Sequence, residues 1–447
     1  MKVAFHTLGC KVNQYETESI REKFRSAGHT PVKEDDFADV YIINTCTVTA
    51  LADRKSRQYI RRMKKLNPDA IVLVTGCYVQ VSPDDVAAVD GVDIICGTNE
   101  KENILSYVEN FAVKRDSDAD AGNGNDESDK SGKSVERYVL DYSQLSDYQT
   151  GGFVTSMESR TRAYIKIEEG CDRFCSYCVI PFARGPVRSR DRKEILKEAE
   201  ILVTEGFKEL ILTGINTALY EDLPGLLRDL DDMDGEFRVR LSSLEPTVIK
   251  ADDVEKILGS KRLCHHLHLS VQSGSDDILK SMNRFYTRGE YLEIVDLIRN
   301  FDPYYGLTTD IIAGFPGEKE KDHMDSISII ERAEFCKVHA FGYSKRPGTK
   351  AEDMPGQISP PVKKSRVKEL IATGDKVAMD FMEKNIGRDE VVLFEEEYKG
   401  MMTGYTGNYL KAYSDFDEKL IGRLIRVKII GTAEDGVRVI PLPTSND

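Results

Sequence analysis

The sequence predicts an α/β protein built in three parts: an N-terminal parallel-sheet α/β domain, a central partial (βα)6 barrel and a C-terminal small, OB-like β-barrel. Three observations carry this. Apolar, β-branched runs alternate with helical stretches near the start, a second alternation of six such units follows a polar stretch, and short strands between Gly-rich turns close the chain. At 447 residues, with about 150 per domain, three domains fit. Apolar residues make up 40% and charged residues 31%, which supports sizeable cores and excludes a fibrous or wholly disordered chain. The formal charge is −14, so any contact with nucleic acid must come from a local basic surface.

In the first part, residues 1–113, strands are expected at residues 3–8, 40–43, 71–74 and 92–95. Helices are expected from near Glu16 to Gly28 and from near Asp53 to Asn67-Pro68. A third is expected to start at Ser82-Pro83-Asp84-Asp85, which combines an N-cap, a first-turn Pro and first-turn acids. Residues 114–134 contain no aromatic or branched aliphatic side chain, and are expected to form a flexible linker. Strands are next expected at residues 163–167, 210–213, 237–241, 266–271, 308–313 and 338–343, in a second domain of residues 150–374. Six units fall short of a complete eight-stranded barrel. After a helix at about residues 362–384, short strands are expected at 391–394, 401–403, 410–413, 424–430 and 437–440, within a third domain of residues 375–443.

Met1 to His6 lead straight into Thr7-Leu8-Gly9-Cys10 without an apolar signal core, and nowhere do about 18 uncharged apolar residues run together. A cytoplasmic protein with no membrane partner is expected. Nine cysteines, an odd number dispersed along a chain of this size, contrast with a small disulfide framework and point to metal or redox chemistry.

Cys171, Cys175 and Cys178 form a C-x3-C-x2-C motif after the first strand of the second part. Three close thiolates can hold three irons of a cubane and leave the fourth iron open to an exogenous ligand. A structural zinc is the alternative, and needs a fourth ligand such as Cys264, His265, His266 or His268. Cys10, Cys46 and Cys77 each follow a different strand of the first part. Parallel strand ends share one edge, so these thiols can converge; the alternative is three unrelated core cysteines. Cys96, Cys264 and Cys336 are expected in cores.

Polar candidates at the barrel strand ends are Thr213, Gly214 and Asn216, and then Ser243 and Glu245; turn and cap roles are the alternative. Gly314-Phe315-Pro316-Gly317 reads first as a turn. The basic run at residues 54–65 carries an apolar stripe of Ile60, Met63, Tyr59 and Leu66, and suits RNA or a solvated helix face. Tyr398, Lys399, Tyr405, Tyr409, Lys411 and Tyr413 mix charge with stacking surfaces, as single-strand binders do, though aromatic residues of a small barrel serve equally as core.

The Cys171 motif at the end of a barrel strand resembles the radical S-adenosylmethionine (SAM) superfamily. The resemblance narrows with Gly9-Cys10-Lys11-Val12-Asn13-Gln14-Tyr15-Glu16, Asn44-Thr45-Cys46-Thr47-Val48-Thr49 and Thr75-Gly76-Cys77-Tyr78-Val79-Gln80, which are similar to the cluster-binding segments of methylthiotransferases. Residues 267–275 and 310–318 extend the match over essentially the whole chain except the linker. The resemblance implies a radical SAM barrel whose Cys171, Cys175 and Cys178 hold a 4Fe–4S cluster, with the cofactor in a pocket near Thr213, Gly214, Asn216, Ser243 and Glu245. It implies an auxiliary 4Fe–4S cluster on Cys10, Cys46 and Cys77, a C-terminal TRAM RNA-binding domain, and SAM as both radical source and methyl donor. Implied partners are a tRNA anticodon loop, a low-potential electron donor and a sulfur source. The Cys10 segment is most similar to the branch that methylthiolates N6-threonylcarbamoyladenosine in tRNA at carbon 2. Other branches act on isopentenyladenosine tRNA or on an aspartate of a ribosomal protein. A rival of another class is a zinc-stabilised RNA-binding adaptor.

Overall fold

The computed structural model describes residues 1–120, 134–145, 148, 152–155, 157, 161–246 and 251–443. Its first sheet is wholly parallel, in the order β2-β1-β3-β4-β5-β6: β1 (Lys2–Thr7), β2 (Thr30–Val32), β3 (Val40–Thr45), β4 (Ile71–Gly76), β5 (Ile94–Cys96) and β6 (Glu136–Tyr138). The two-residue period of each strand divides the apolar side chains between two cores. Tyr41 and Ile43 pack with Ile60 and Met63 of α2 (Ala50–Leu66), whereas Val40 and Ile42 pack with Ile20 and Phe24 of α1 (Lys11–Ser26). Helices α3 (Cys77–Val81), α4 (Pro83–Ala87) and α5 (Ile104–Asp120) complete the two layers.

Two sequence expectations are corrected here. Helices α1 and α2 start earlier than the apolar pattern suggests, at Lys11 and Ala50; the Thr49 side chain caps α2 by accepting the Ala52 N–H at 3.3 Å. The expected linker also begins late, because α5 continues through residues 114–120. Adding residues to an established helix costs little, and residues 114–117 are exposed. The rest of that linker, residues 121–133, lies outside the described residues.

The central sheet starts with β7 (Arg162–Lys166). A short antiparallel ribbon of β8 (Glu168–Glu169) and β9 (Arg188–Ser189) follows, enclosing α6 (Ile180–Arg184). Parallel pairing then runs through β10 (Glu209–Thr213), β11 (Arg238–Leu241), β12 (Ser243–Leu244), β13 (His266–Leu269), β14 (Gly306–Ala313) and β15 (Lys337–Gly342). β11 pairs with β10 and β12 pairs with β13, so one bent strand joins the two halves and makes the six expected strands an open, partial barrel. Around it lie α7 (Arg192–Thr204), α8 (Leu223–Asp231), α9 (Ala251–Leu258), α10 (Asp276–Ser281), α11 (Arg288–Phe301) and α12 (Glu320–Ala333). α1 packs against β7, and Tyr15 joins the barrel's core.

Helix α13 (Pro360–Lys384) runs unbroken across the boundary expected at residue 375. Its Leu370 and Val377 pack into the barrel core, whereas Phe381 and Met382 pack into the next. That next core belongs to a closed five-stranded barrel of β16 (Asp389–Tyr398), β17 (Met401–Thr406), β18 (Lys411–Asp415), β19 (Leu424–Ala433) and β20 (Gly436–Pro441). Among the described residues, no helix is long and apolar enough to cross a membrane.

Candidate active site between two cysteine trios

Strands β1, β3 and β4 are neighbours in register, with Thr7 beside Asn44 and Thr45 beside Gly76; Cys46 and Cys77 follow their strand ends directly and Cys10 follows through Leu8-Gly9. The three thiols therefore leave one edge of one sheet. Gly9 has φ +114°, and a Cβ there would stand 2.8 Å from the Cys46 Cβ; only glycine lets the two loops approach this closely. Cys10 is the N-cap of α1 and Cys77 the first residue of α3, and burial pushes the Cys10 thiol up. Asn13, fully buried, joins the loops: its amide donates to the carbonyls of Leu8 at 2.8 Å and Thr45 at 3.0 Å. Thr45 Oγ1 donates to the Thr75 carbonyl at 2.6 Å and ties in the third loop. Burial, helped by Cys77, pushes the Cys46 thiol up to about 12, so loading a metal here must expel the proton.

The second trio lies on the loop between β8 and α6. Cys171, Cys175 and Cys178 line one cavity of about 230 Å³ together with Asn216, Ser243 and Glu245. Burial, reinforced by the Cys175 sulfur, pushes Cys171 and Cys178 up to about 12. Donors are already aimed at the sulfurs: the Ile180 N–H meets Cys178 Sγ at 3.4 Å and Arg284 Nη1 meets Cys175 Sγ at 3.3 Å. Three soft sulfurs with charge-assisted donors fit a thiolate-held iron–sulfur cluster. Glu245 accepts from Asn216 Nδ2 at 3.0 Å and lies 3.4 Å from Arg173 Nε, which ties it to both neighbours.

A second cavity, about 240 Å³, continues the first. Tyr177, Cys178, Ile180, Gln272 and Asp310 line both, and Val48 and Thr49 of the Cys46 loop close the far side. Arg346 clamps that loop to the barrel, bonding Thr47 Oγ1 at 2.6 Å and Asp53 Oδ2 at 2.8 Å. The Cys171 trio thus opens onto a chamber whose far wall is the segment that follows Cys46. Exposed Val48 and Phe341 offer apolar surface on its wall.

Beneath the chamber, Arg184 is wholly buried. It donates from Nε to Cys77 Sγ at 3.2 Å, from Nη1 to Glu16 at 2.5 Å and Glu169 at 3.1 Å, and from Nη2 to Asn13 at 2.5 Å. Burial opposes its charge, but Cys77, Glu16 and Glu169 outweigh that and hold the guanidinium well above its ordinary range. Sequence reasoning missed this residue. The available signal was its place in Ile180-Pro181-Phe182-Ala183-Arg184, directly after the cysteine motif. Asn13, Arg284 and Asp310 were likewise not singled out as site residues.

Other expectations divide. Asn216, Ser243 and Glu245 line the cysteine cavity, whereas Thr213 is buried in its strand and Gly214 packs against Glu168. None of Cys264, His265, His266 and His268 lines that cavity. Among the described residues, no three His, Cys, Asp or Glu side chains gather as a single ion requires, so the alternative zinc set is not assembled. A cubane asks for wider spacing, because each thiolate takes its own iron. Cys96, Cys264 and Cys336 are buried.

On α2, Tyr59, Ile60 and Met63 are buried and Arg54, Lys55, Arg61 and Lys65 are exposed; Leu66, expected in the apolar stripe, is exposed instead. In the C-terminal barrel, Tyr409 stacks on His266 with centroids 4.2 Å apart and Tyr405 lies under Arg162, so both belong to the seam with the central barrel. Tyr413 is buried with its hydroxyl on Asp435. Tyr398 alone of the four is exposed, flanked by Lys399 and Lys411.

Residues 2–97 match the model described as uncharacterized protein family UPF0004, and residues 165–330 match the radical SAM superfamily. The threonylcarbamoyladenosine tRNA methylthiotransferase MtaB of Bacillus subtilis (strain 168) is 40% identical over 440 residues, which cover 96% of this chain and 93% of that one. The tRNA-2-methylthio-N(6)-dimethylallyladenosine synthase of Carboxydothermus hydrogenoformans is 34% identical and is covered, like this chain, to 95%. Among solved structures, the radical SAM methyltransferase TsrM from Kitasatospora setae, with tryptophan and a SAM analogue bound, aligns over 78% of this chain and 75% of that one. The TM-score is 0.59 at 14% identity, a likeness of fold alone.

Proposed function

The chain belongs to the radical SAM tRNA methylthiotransferase family, and we propose that it acts on N6-threonylcarbamoyladenosine beside the anticodon, giving the 2-methylthio nucleoside. It is an enzyme that uses SAM and a 4Fe–4S cluster to methylthiolate tRNA. The finer reading gives Cys171, Cys175 and Cys178 the radical SAM cluster and Cys10, Cys46 and Cys77 an auxiliary one. The observation that carries it is the continuous chamber lined throughout by Tyr177, Cys178, Gln272 and Asp310, which holds the Cys171 trio at one end and Val48 and Thr49, next to Cys46, at the other.

When bound, the two clusters and SAM supply a 5′-deoxyadenosyl radical, the sulfur and the methyl group. Asn216, Ser243 and Glu245 would hold the cofactor beside the Cys171 loop. Glu245 is already held by Asn216 and needs little reorganisation. Arg346 keeps the Cys46 loop at the far wall, so a base entering the chamber would lie between the Cys171 trio and the segment that follows Cys46. An adenosine in a single-stranded loop reaches such a chamber without opening a duplex. The exposed cations of α2 and the Lys399-Tyr398-Lys411 group supply backbone attraction and a stacking face.

The substrate branch rests on the Cys10 segment and on the higher identity to the threonylcarbamoyladenosine enzyme, 40% against 34% for the dimethylallyladenosine one. Anaerobic turnover with tRNAs carrying each nucleoside, read by nucleoside mass spectrometry, tests it. Methylthiolation of the isopentenyl nucleoside alone would reject the branch and leave the chemistry standing.

A further inference from the structure

The strongest unassigned feature is the buried ionic group around Arg184. Glu16 bonds Lys101, Lys166 and Arg184, and Glu169 bonds Lys166 at 2.7 Å and Arg184 at 3.1 Å. All five side chains are at most 8% exposed. Among these five, cations outnumber anions by one; Arg188 beside Glu169 adds to the excess, burial keeps the neighbouring Glu168 carboxyl well above the ordinary range so that it adds no anion, and Arg184 carries the group to Cys77 Sγ at 3.2 Å. A surplus buried charge is costly, so this depth calls for a neighbouring anion. A doubly positive cubane core on three thiolates carries one net negative charge, the sign that this surplus calls for.

We propose that Arg184 is a positioning residue for the auxiliary cluster: it balances the cluster's charge, holds its potential up, and joins its three loops to the segment that carries the radical cluster. This rests on the reading that Cys10, Cys46 and Cys77 hold such a cluster. Arg184 touches Cys77 directly and reaches the Cys10 and Cys46 loops through Asn13, whose amide spans both. On the other side it ends α6, which begins two residues after Cys178. The backbone around it is pinned: Thr98 Oγ1 donates to the Ala183 carbonyl at 2.7 Å, Arg188 to that of Arg184 at 2.5 Å, and the Cys171 N–H to that of Gly185 at 3.1 Å. A displacement of either cluster loop is therefore felt at the other. Lysine at this position would keep the charge without the fork that meets Cys77, Glu16 and Asn13 together.

The test is an electron-paramagnetic-resonance redox titration of the anaerobically reconstituted holoenzyme, following the cluster signal that added SAM leaves unchanged. Arg184→Gln removes a positive charge beside the cluster and should make it harder to reduce, by at least tenfold in the reduction equilibrium, about 59 mV for one electron. Glu16→Gln removes a negative charge from the same group and should shift the potential the opposite way by a similar factor. Arg184→Lys should recover more than half of the first shift. Loss of the auxiliary iron in Arg184→Gln, with an upward shift in Glu16→Gln, also supports the proposal. Shifts of one sign in both variants, no shift in either, or equal loss of auxiliary iron from both would overturn it. A wild-type protein that binds only about four irons instead rejects the auxiliary cluster itself.

Discussion

Glu209→Gln should unfasten the C-terminal barrel from the central one. The Glu209 carboxylate is fully buried and accepts from Arg238 Nε at 2.6 Å and from Arg240 Nε and Nη2 at 2.9 and 3.1 Å. Burial alone would raise its pKa, but Arg238 and Arg240 hold it far below the carboxylate range. The same two guanidiniums reach across the seam. Arg238 donates to the carbonyls of Val391 at 3.0 Å and Tyr405 at 2.9 Å, and Arg240 to those of Gly407 at 3.2 Å and Thr406 at 3.1 Å. Glutamine keeps the shape and removes the charge, leaving both cations buried without their anion, which costs about 3–5 kcal/mol. At about 2–4 °C per kcal/mol for a unit of this size, the melting temperature should fall by about 6–20 °C. A depressed carboxylate contributes fully above its unfolded pKa of about 4.3, and this contribution fades only as pH falls through the lower folded value. The loss should therefore be equal at pH 6 and pH 8. Calorimetry at both values checks this, and a melting temperature within about 2 °C of wild type would refute the anchoring role.

Cys171→Ala should abolish 5′-deoxyadenosine formation and lower bound iron from about eight to about four per chain, measured by chromatography and iron assay. Cys77→Ala should retain some 5′-deoxyadenosine formation but give no methylthio product; unchanged methylthiolation would refute the auxiliary role. Asn13→Ala removes the bonds to the Leu8 and Thr45 carbonyls and should lower auxiliary iron retention, seen as faster iron loss to a chelator. Neutralising Arg54, Lys55 and Arg61 together should weaken tRNA binding and make it less dependent on salt, by about one logarithmic slope unit for each phosphate no longer neutralised, read from affinity across a potassium chloride series.

The strand positions were readable because a buried parallel strand must be a short apolar run. This holds for residues 40–43 and 71–74, and it failed for β2 and β6, edge strands of three residues with little to bury. The start of α1 was missed because Cys10 caps it without a side-chain hydrogen bond and leaves no polar signature. Tyr409 was ambiguous for a different reason: an aromatic ring looks the same in sequence whether it meets RNA or, as here, His266 of another unit.

The sequence by itself determined the α/β order, the family and which strand ends carry thiols, because period, turn chemistry and motif spacing act over a few neighbouring residues. Only the tertiary structure decided that Val48 and Thr49 share a chamber with Cys178, that Asn216 and Glu245 line the cysteine cavity while Thr213 does not, and that Arg184 meets Cys77 and Glu16. Arg184 lies more than a hundred positions from Cys77 and from Glu16. The energies of such meetings come from burial and charge at a seam, which no local pattern encodes.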